Sequence, residues 1–315
     1  MNQPTVSVLI PCCNAGKFIG ETLESIFQQT WPSIQVVVVD DGSTDHSADV
    51  VRSFARPNLT FIQQENRGQT AALNVCLLHA SGDFVQYLDA DDLLDSEKIE
   101  RQITRLIDRP NCVASAEWGR FYTSSDDAKF DPEPVWRDLD PIDWLALSRA
   151  GGLGMMFPAL WLVPMRIIRT VGQWREELTL NNDAEYFTRI LLACKQVLFC
   201  PGARCYYRSG VGGSLSGRKS SEAWASQFRV IELCETNVRA REDSERVRRG
   251  FALSWQHFAH ACYPYAPALA AGALARACSL HPVTIRPDGG RTFHIISRLI
   301  GWRAARWLQV ASGRS

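Results

Sequence analysis

Strand and helix signals alternate through the first 120 residues, and this limits the possible folds of the chain more than any other feature. "VSVLI" (6–10) reads as a short buried strand, after which Ile19, Leu23, Ile26 and Phe27 fall on one face of a helix that ends before Pro32. "VVVV" (36–39) is the second strand, "STDHSADVVRSFA" (43–55) the helix after it with Ser43 as its expected N-cap, and "LTFIQ" (59–63) the third strand. A helix over about 69–79, a strand "FVQYL" (84–88) and a helix over 96–108 complete the run. Strands joined through helices run parallel, and a parallel sheet is covered on both faces. A three-layer α/β domain is expected.

Open parallel sheets bind ligands beyond the carboxyl ends of their strands. Here "PCCN" (11–14), "DDGSTD" (40–45), "QENRGQ" (64–69) and "DADD" (89–92) follow four successive strands, so all four share one rim. Regularity is lost between Phe121 and Asp143, and the tail from about Ser220 is helical in composition. The expected organisation is a domain over 1–219, divided into a regular first half (1–120) and a less regular second half (121–219), followed by a helical region over 220–315.

Lys and Arg together number 34, as do Asp and Glu, so no global field draws the chain to nucleic acid or an anionic surface. No nucleic-acid partner is expected. Ten scattered cysteines with no secretory leader ahead of them fit a reducing, cytoplasmic setting. Cys194, Cys200 and Cys205 lack the two-residue spacing of a zinc knuckle and read as structural thiols. "GGLGMMFPALWLVPM" (151–165) contains two prolines and falls short of the ~20 residues a spanning helix needs.

Adjacent Asp40 and Asp41 at the end of a buried strand invite a chemical reading, as does "DADD". No G-x-G-x-x-G follows the first strand and no phosphate loop occurs, which removes the two commonest nucleotide cradles. An EF-hand over "DADDLLDSEKIE" fails because Leu93 stands where an oxygen ligand is needed and Leu94 where glycine is needed. An aspartyl phosphatase would also begin D-x-D after a strand, but Asp92 and Leu93 replace the small residues expected next. The plainer readings are a solvated turn and helix cap for "DDGSTD" and a helix-initiating acidic loop for "DADD".

Taken together, "VSVLIPCCNAGKFIGETLESIFQQTWPSIQVVVVDDGSTDHSADV" and "QENRGQTAALNVCLLHASGDFVQYLDADDLL" resemble the inverting family 2 glycosyltransferases of GT-A fold. The resemblance is dense over roughly 5–110 and continues thinly to about 217. It implies a Rossmann-like nucleotide-sugar-binding domain in which Asp89 and Asp91, the D-x-D, hold Mg²⁺ or Mn²⁺ against the donor diphosphate. It further implies that Asp41, with Asp40 beside it, faces the nucleobase, that the backbone from Pro11 to Asn14 lines it, and that Arg67 lies near the diphosphate. If the strand continued through Asp89 and Asp91, both would point the same way.

For the later half, the resemblance implies that Asp183 in "TLNNDAEYFTRILLACK" is the base that deprotonates the acceptor hydroxyl, with Arg189 at the family's later arginine. Asn182 departs from the family's usual glutamate. The plainer reading of Asp183 is an N-cap or first-turn carboxylate on the helix dipole, a role compatible with catalysis, and Glu185 is the fallback base. "ALWLVPMRIIRTVGQWREEL" resembles the family's acceptor-side segment with its G-x-W/F-x-E. "YYRSGVGGSLSG" (206–217) resembles the closing segment, which makes Arg208, Ser214 and Ser216 candidates beside the diphosphate; an ordinary linker is the alternative.

"RTFHIISRLIGWRAARWLQVASGRS" (291–315) has five arginines and no acid, with Phe293, Ile296, Ile300 and Trp307 near one helical face. Such a helix can lie on an anionic membrane surface. The resemblance implies a metal-dependent inverting transferase that moves a sugar from a nucleotide sugar, a UDP-sugar, to a glycan or lipid-linked acceptor. The competing class is a non-catalytic sugar-nucleotide-binding subunit, which would have no reason to keep Asp89, Asp91 and Asp183 together.

Overall fold

The computed structural model describes residues 3–150, 155–211, 219–282 and 290–312. Two compact units form, Met1–Trp144 with Met156–Gly212 and Leu145–Met155 with Gly213–Ser315. The first unit opens with β1 (Val6–Cys12), α1 (Ile19–Phe27), β2 (Ile34–Asp41), α2 (Ser47–Ser53), β3 (Leu59–Gln64), α3 (Gln69–Leu78) and β4 (Phe84–Tyr87). These strands are parallel, with Ile10 opposite Val38, Val38 opposite Phe61 and Val8 opposite Gln86. β2 runs between β1 and β3, and Val36 to Val39 are fully buried there, which is why four β-branched residues stand in an unbroken row.

Beyond β4 come β5 (Leu93–Leu94), α4 (Lys98–Leu106), β6 (Cys112–Phe121), α5 (Pro141–Ala150), β7 (Leu162–Pro164), α6 (Met165–Val171), α7 (Asn182–Ala193) and β8 (Gln196–Arg208). The sheet order is β3-β2-β1-β4-β7-β6-β8-β5, and β7 pairs antiparallel with both β4 and β6. β1 is flanked by β2 on one side and by β4 on the other, so the crossover direction reverses there. The crevice between the loops after β1 and β4 is where such a sheet takes its ligand. The 122–140 excursion between β6 and α5 is tied back by two isolated bridges, Arg120 to Lys129 and Leu139 to Val197.

Two local expectations are corrected. α2 starts at Ser47, whose N–H is accepted by the Asp45 carboxylate at 2.9 Å, while Ser43 Oγ accepts the Asn14 N–H at 2.9 Å. A charged oxygen is the stronger partner for a helix N-terminus, so Asp45 displaces Ser43 from the capping role. β4 stops at Tyr87, and Asp89 and Asp91 sit on a turn closed by the Asp92 N–H on the Asp89 carbonyl at 3.2 Å rather than on one face of a strand.

The second unit contains α8 (Ser221–Arg241), α9 (Glu245–Cys262), α10 (Pro267–Leu280), α11 (Arg291–Ile300) and α12 (Trp302–Ala311). Among its described residues the buried carboxylate is Glu235, which accepts from Trp255 Nε1 at 2.7 Å and pairs with Arg239 and Arg276 at 2.8 and 3.1 Å. A buried charge is tolerable when it is paired and hydrogen-bonded in this way. The single tail helix expected from composition is two helices, broken at Gly301, whose φ of +82° suits glycine alone. Phe293 is buried while Ile295, Leu299, Ile300, Trp307 and Leu308 are exposed. Among the described residues no helix is long and apolar enough to cross a membrane.

Candidate active site

The rim loops are stitched together by their own polar groups. Asn14, at φ +51°, donates its N–H to Ser43 and accepts the Thr44 N–H on Oδ1 at 2.8 Å, which fastens the loop after β1 to the loop after β2. Pro11 lies within β1 opposite Val39, where the missing N–H costs no more than one ladder bond. Gly42, at φ +70°, passes so close to the next loop that a Cβ there would meet Asn66 N at 2.7 Å.

Asp40 and Asp41 are buried, and both carboxylates are engaged in holding loops. Asp40 accepts the Ser43 N–H at 3.1 Å and Gln63 Nε2 at 3.0 Å. Asp41 accepts Gln64 Nε2 at 2.7 Å, the Arg67 N–H at 2.8 Å and, at the start of α3, the Gly68 N–H at 2.8 Å. Three of the roughly four acceptor positions on Asp41 are therefore taken, which leaves one for an incoming N–H. The sequence reading gave these residues to the nucleobase; the structure adds that they first shape the loop on which Arg67 stands. Arg67 is half-exposed and meets Glu176 at 3.3 Å, an exposed pair of small worth that a stronger anion can replace.

Asp89 accepts Gln69 Nε2 at 3.0 Å, and Asn182 Nδ2 reaches Gln69 Oε1 at 3.4 Å. Gln69 thus joins the D-x-D turn to the start of α7. Burial, then Asp91, then Asp183 push the Asp89 carboxyl up to about 7, so the three carboxylates share one field. Asp183, half-buried in the first turn of α7, accepts the Ala184 N–H at 2.8 Å and is raised by burial to about 6. Asp91 is raised by burial as well, opposed by its own backbone and by Arg208. Among the described residues no cluster of three His, Cys, Asp or Glu is gathered closely enough to hold a metal by itself. The donor set nevertheless fits a hard divalent cation, which often takes one or two carboxylates and completes its shell with substrate phosphate oxygens.

The residues that bring Asp183 to this turn were not singled out from the sequence. Tyr87, the last residue of β4, shares a hydrogen bond with Tyr186 of α7, hydroxyl to hydroxyl at 2.9 Å, and Trp174 stacks on Tyr186 at 3.9 Å between ring centres. Trp174 is itself fixed to α3, its N–H on Asn74 Oδ1 at 2.8 Å and its carbonyl accepting Asn74 Nδ2 at 3.0 Å. The "GQW" and "EYF" aromatics were the available signal.

Two candidates are relocated. Arg208 ends β8 rather than standing on a loop: it is buried between the Phe18 and Phe121 rings, donates Nε to the Asp91 carbonyl at 2.8 Å and meets Glu21 at 2.5 Å. Its backbone N–H also goes to Asp92 Oδ1 at 2.9 Å. Arg208 therefore supports the carboxylate turn from beneath. Glu185 is buried against Arg175 at 3.0 Å and Arg189 at 2.9 Å, an ion-paired strut rather than a spare base. Ser214 and Ser216 lie outside the described residues.

A mixed sheet whose parallel strands end in these loops, with Gln69 joining the carboxylate turn after β4 to the start of α7, has the architecture of a glycosyltransferase of GT-A fold. The sequence profile of Glycosyl transferase family 2 matches residues 7–172. An uncharacterized glycosyltransferase of Haemophilus influenzae is 31% identical over 228 residues, 71% of this chain and 87% of the relative. GlyA, a glycosyltransferase of Streptococcus pneumoniae, is 31% identical over 121 residues, 38% of this chain but 17% of its own length. Among solved structures, S. aureus TarS 1–349 in complex with UDP-GlcNAc superposes with a TM-score of 0.71 at 18% identity, covering 98% of this chain and 92% of that one. The mannosyltransferase PcManGT of Pyrobaculum calidifontis, in complex with GDP-Man and Mn²⁺, gives 0.56 at 20% identity, covering 100% of this chain and 89% of that one. The chain belongs to glycosyltransferase family 2.

Proposed function

We propose that this protein is an inverting, metal-dependent glycosyltransferase that moves a sugar from a nucleotide diphosphate donor, a UDP-sugar, to a hydroxyl of a glycan or lipid-linked acceptor. The observation that carries the reading is Gln69, which donates to Asp89 at 3.0 Å and accepts from Asn182 at 3.4 Å, and so ties the D-x-D turn to the start of α7, where Asp183 stands. A binding subunit without chemistry would have no use for a second acid brought to that turn from the later half of the chain. TarS with UDP-GlcNAc and PcManGT with GDP-Man and Mn²⁺ support the donor class and the cation.

Asp89 and Asp91 would hold Mg²⁺ or Mn²⁺, which when bound offsets the charge that develops on the departing diphosphate. The chain's own residues do the rest. Gln69 and Arg208 fix the turn that carries the two carboxylates. Asp41 shapes the loop that presents Arg67 to the phosphates and keeps one acceptor position for the base, while the Pro11 to Asn14 segment forms the adjoining wall. Asp183 removes the acceptor proton; a carboxyl raised toward neutrality is better matched to that task than an ordinary one.

The test is nucleotide release from a panel of sugar nucleotides in the presence of Mn²⁺ or a chelator. One donor is expected to be slowly hydrolysed, with chelation abolishing the release and added Mn²⁺ restoring it. Turnover that ignores the chelator would overturn the cation's role.

The tail supports peripheral contact with an anionic lipid surface on the inner face of the membrane, because five arginines without an acid accompany the exposed Leu299, Ile300 and Trp307. The full chain should sediment with phosphatidylglycerol vesicles and not with phosphatidylcholine vesicles, and Leu299→Asp with Trp307→Asp should abolish it. Equal sedimentation with both lipids would count against charge recognition.

A further inference from the structure

A cavity of about 600 Å³ opens in the first unit between the end of β6 and the excursion that follows it. That volume is in the range of a small-molecule site. No residue assigned to the donor, the cation or the base lines it. Its walls combine two kinds of group. Trp118, Phe121 and Tyr122 supply aromatic surface, and Tyr122 is 65% exposed, an unusual position for so large an apolar ring. Gly210, at φ +80°, lets the chain after β8 pass against the Tyr122 ring, where a Cβ would stand 3.2 Å from its edge.

The charged groups are Arg120, Asp127, Lys129, Asp131 and Glu133, three acids against two bases. Arg120 is already occupied: its guanidinium lies over Trp118 and Tyr207, and it donates to Ser209 Oγ at 2.6 Å. Such a balance gives no strong preference for a phosphate or a polyanion. Glu133 accepts Trp118 Nε1 at 3.0 Å, and burial raises its carboxyl above the usual range, so it can pair with a neutral hydroxyl at little further desolvation cost.

We propose that this cavity is a saccharide subsite that holds one neutral pyranose ring of the acceptor, stacked on Tyr122 and hydrogen-bonded through its hydroxyls to Glu133 and Asp127. A pyranose has an apolar face of C–H bonds carrying slight positive charge, the complement of an aromatic face, and a rim of hydroxyls that needs both donors and acceptors. The cavity is linked to the carboxylate turn through two side chains. Phe121 lines it and packs under the Arg208 guanidinium, 4.5 Å from the ring centre, and Arg208 holds the Asp91 carbonyl. The role as acceptor subsite rests on the glycosyltransferase reading; the presence of a sugar-binding cavity does not.

The experiment is saturation-transfer NMR on the full chain with the methyl glycosides of glucose, galactose, mannose and N-acetylglucosamine, free of donor and metal. At least one glycoside should receive saturation at its ring protons. Tyr122→Ala, which removes an exposed side chain and spares the core, should weaken that binding about tenfold, and Tyr122→Phe should restore it. Donor hydrolysis by Tyr122→Ala should equal that of the wild type. No glycoside binding to the wild type, or equal binding to Tyr122→Ala, overturns the subsite. Glycoside binding without any donor hydrolysis instead overturns the transferase reading and leaves the cavity's ligand class standing.

Discussion

Asp183→Asn will bind its nucleotide sugar as the wild type does and will transfer sugar to acceptor roughly 10²- to 10⁴-fold more slowly, the usual contribution of a positioned general base. The substitution keeps size and shape, and asparagine can still accept the Ala184 N–H that Asp183 accepts at 2.8 Å. The start of α7 should therefore persist, and only the proton-accepting capacity is lost. Because Asp183 is one of the charges that push Asp89 up, a neutral amide also relieves repulsion in the cluster, and thermal unfolding should show no loss of stability. Donor affinity measured by calorimetry and transfer measured by product formation separate the two effects. Transfer at the wild-type rate would reduce Asp183 to a first-turn carboxylate that complements the helix dipole.

Asp91→Asn should fail earlier in the cycle. Lewis-acid stabilisation by a bound cation is worth several kcal/mol, and each ~1.4 kcal/mol is a factor of ten, so loss of one of the two carboxylates proposed to hold it should cost about 10²- to 10⁴-fold in both donor hydrolysis and transfer. Mn²⁺ binding, followed directly by paramagnetic relaxation of water, should weaken in step. The Arg208 bond to this residue goes to its backbone carbonyl, so the turn should keep its support. The two variants thus have opposite signatures: Asp91→Asn loses cation and donor chemistry together, whereas Asp183→Asn loses only the acceptor step. Intact Mn²⁺ binding in Asp91→Asn would remove the D-x-D from the clamp.

The parallel half of the sheet was legible because its signals are local. Four buried valines in a central strand, punctuation by glycine and aspartate after each strand, and four rim loops in sequence order needed no knowledge of distant contacts. What escaped depends on partners far along the chain. That Asp41 also holds the loop 26 residues later, through the Arg67 N–H, could not be read from its own neighbourhood. Arg208 looks like part of a glycine-rich loop, yet pairing of β8 with β6 carries the strand through it, with Phe121 opposite Arg208. Glu185 has one visible arginine four residues on, but the second, Arg175, comes from the segment before α7. The hydroxyl pair of Tyr87 and Tyr186 spans 99 positions and follows no periodicity. The tail failed for a local reason: a single glycine interrupts an amphipathic pattern that otherwise runs through it.

The excursion over 122–140 belongs to neither the parallel strands nor the carboxylate turn, and two bridges moor it to the sheet. The register of the four parallel strands is set by pairings that lie outside it. A change of length or sequence confined to this excursion is therefore expected to reshape the cavity while the sheet's pairing stays as it is.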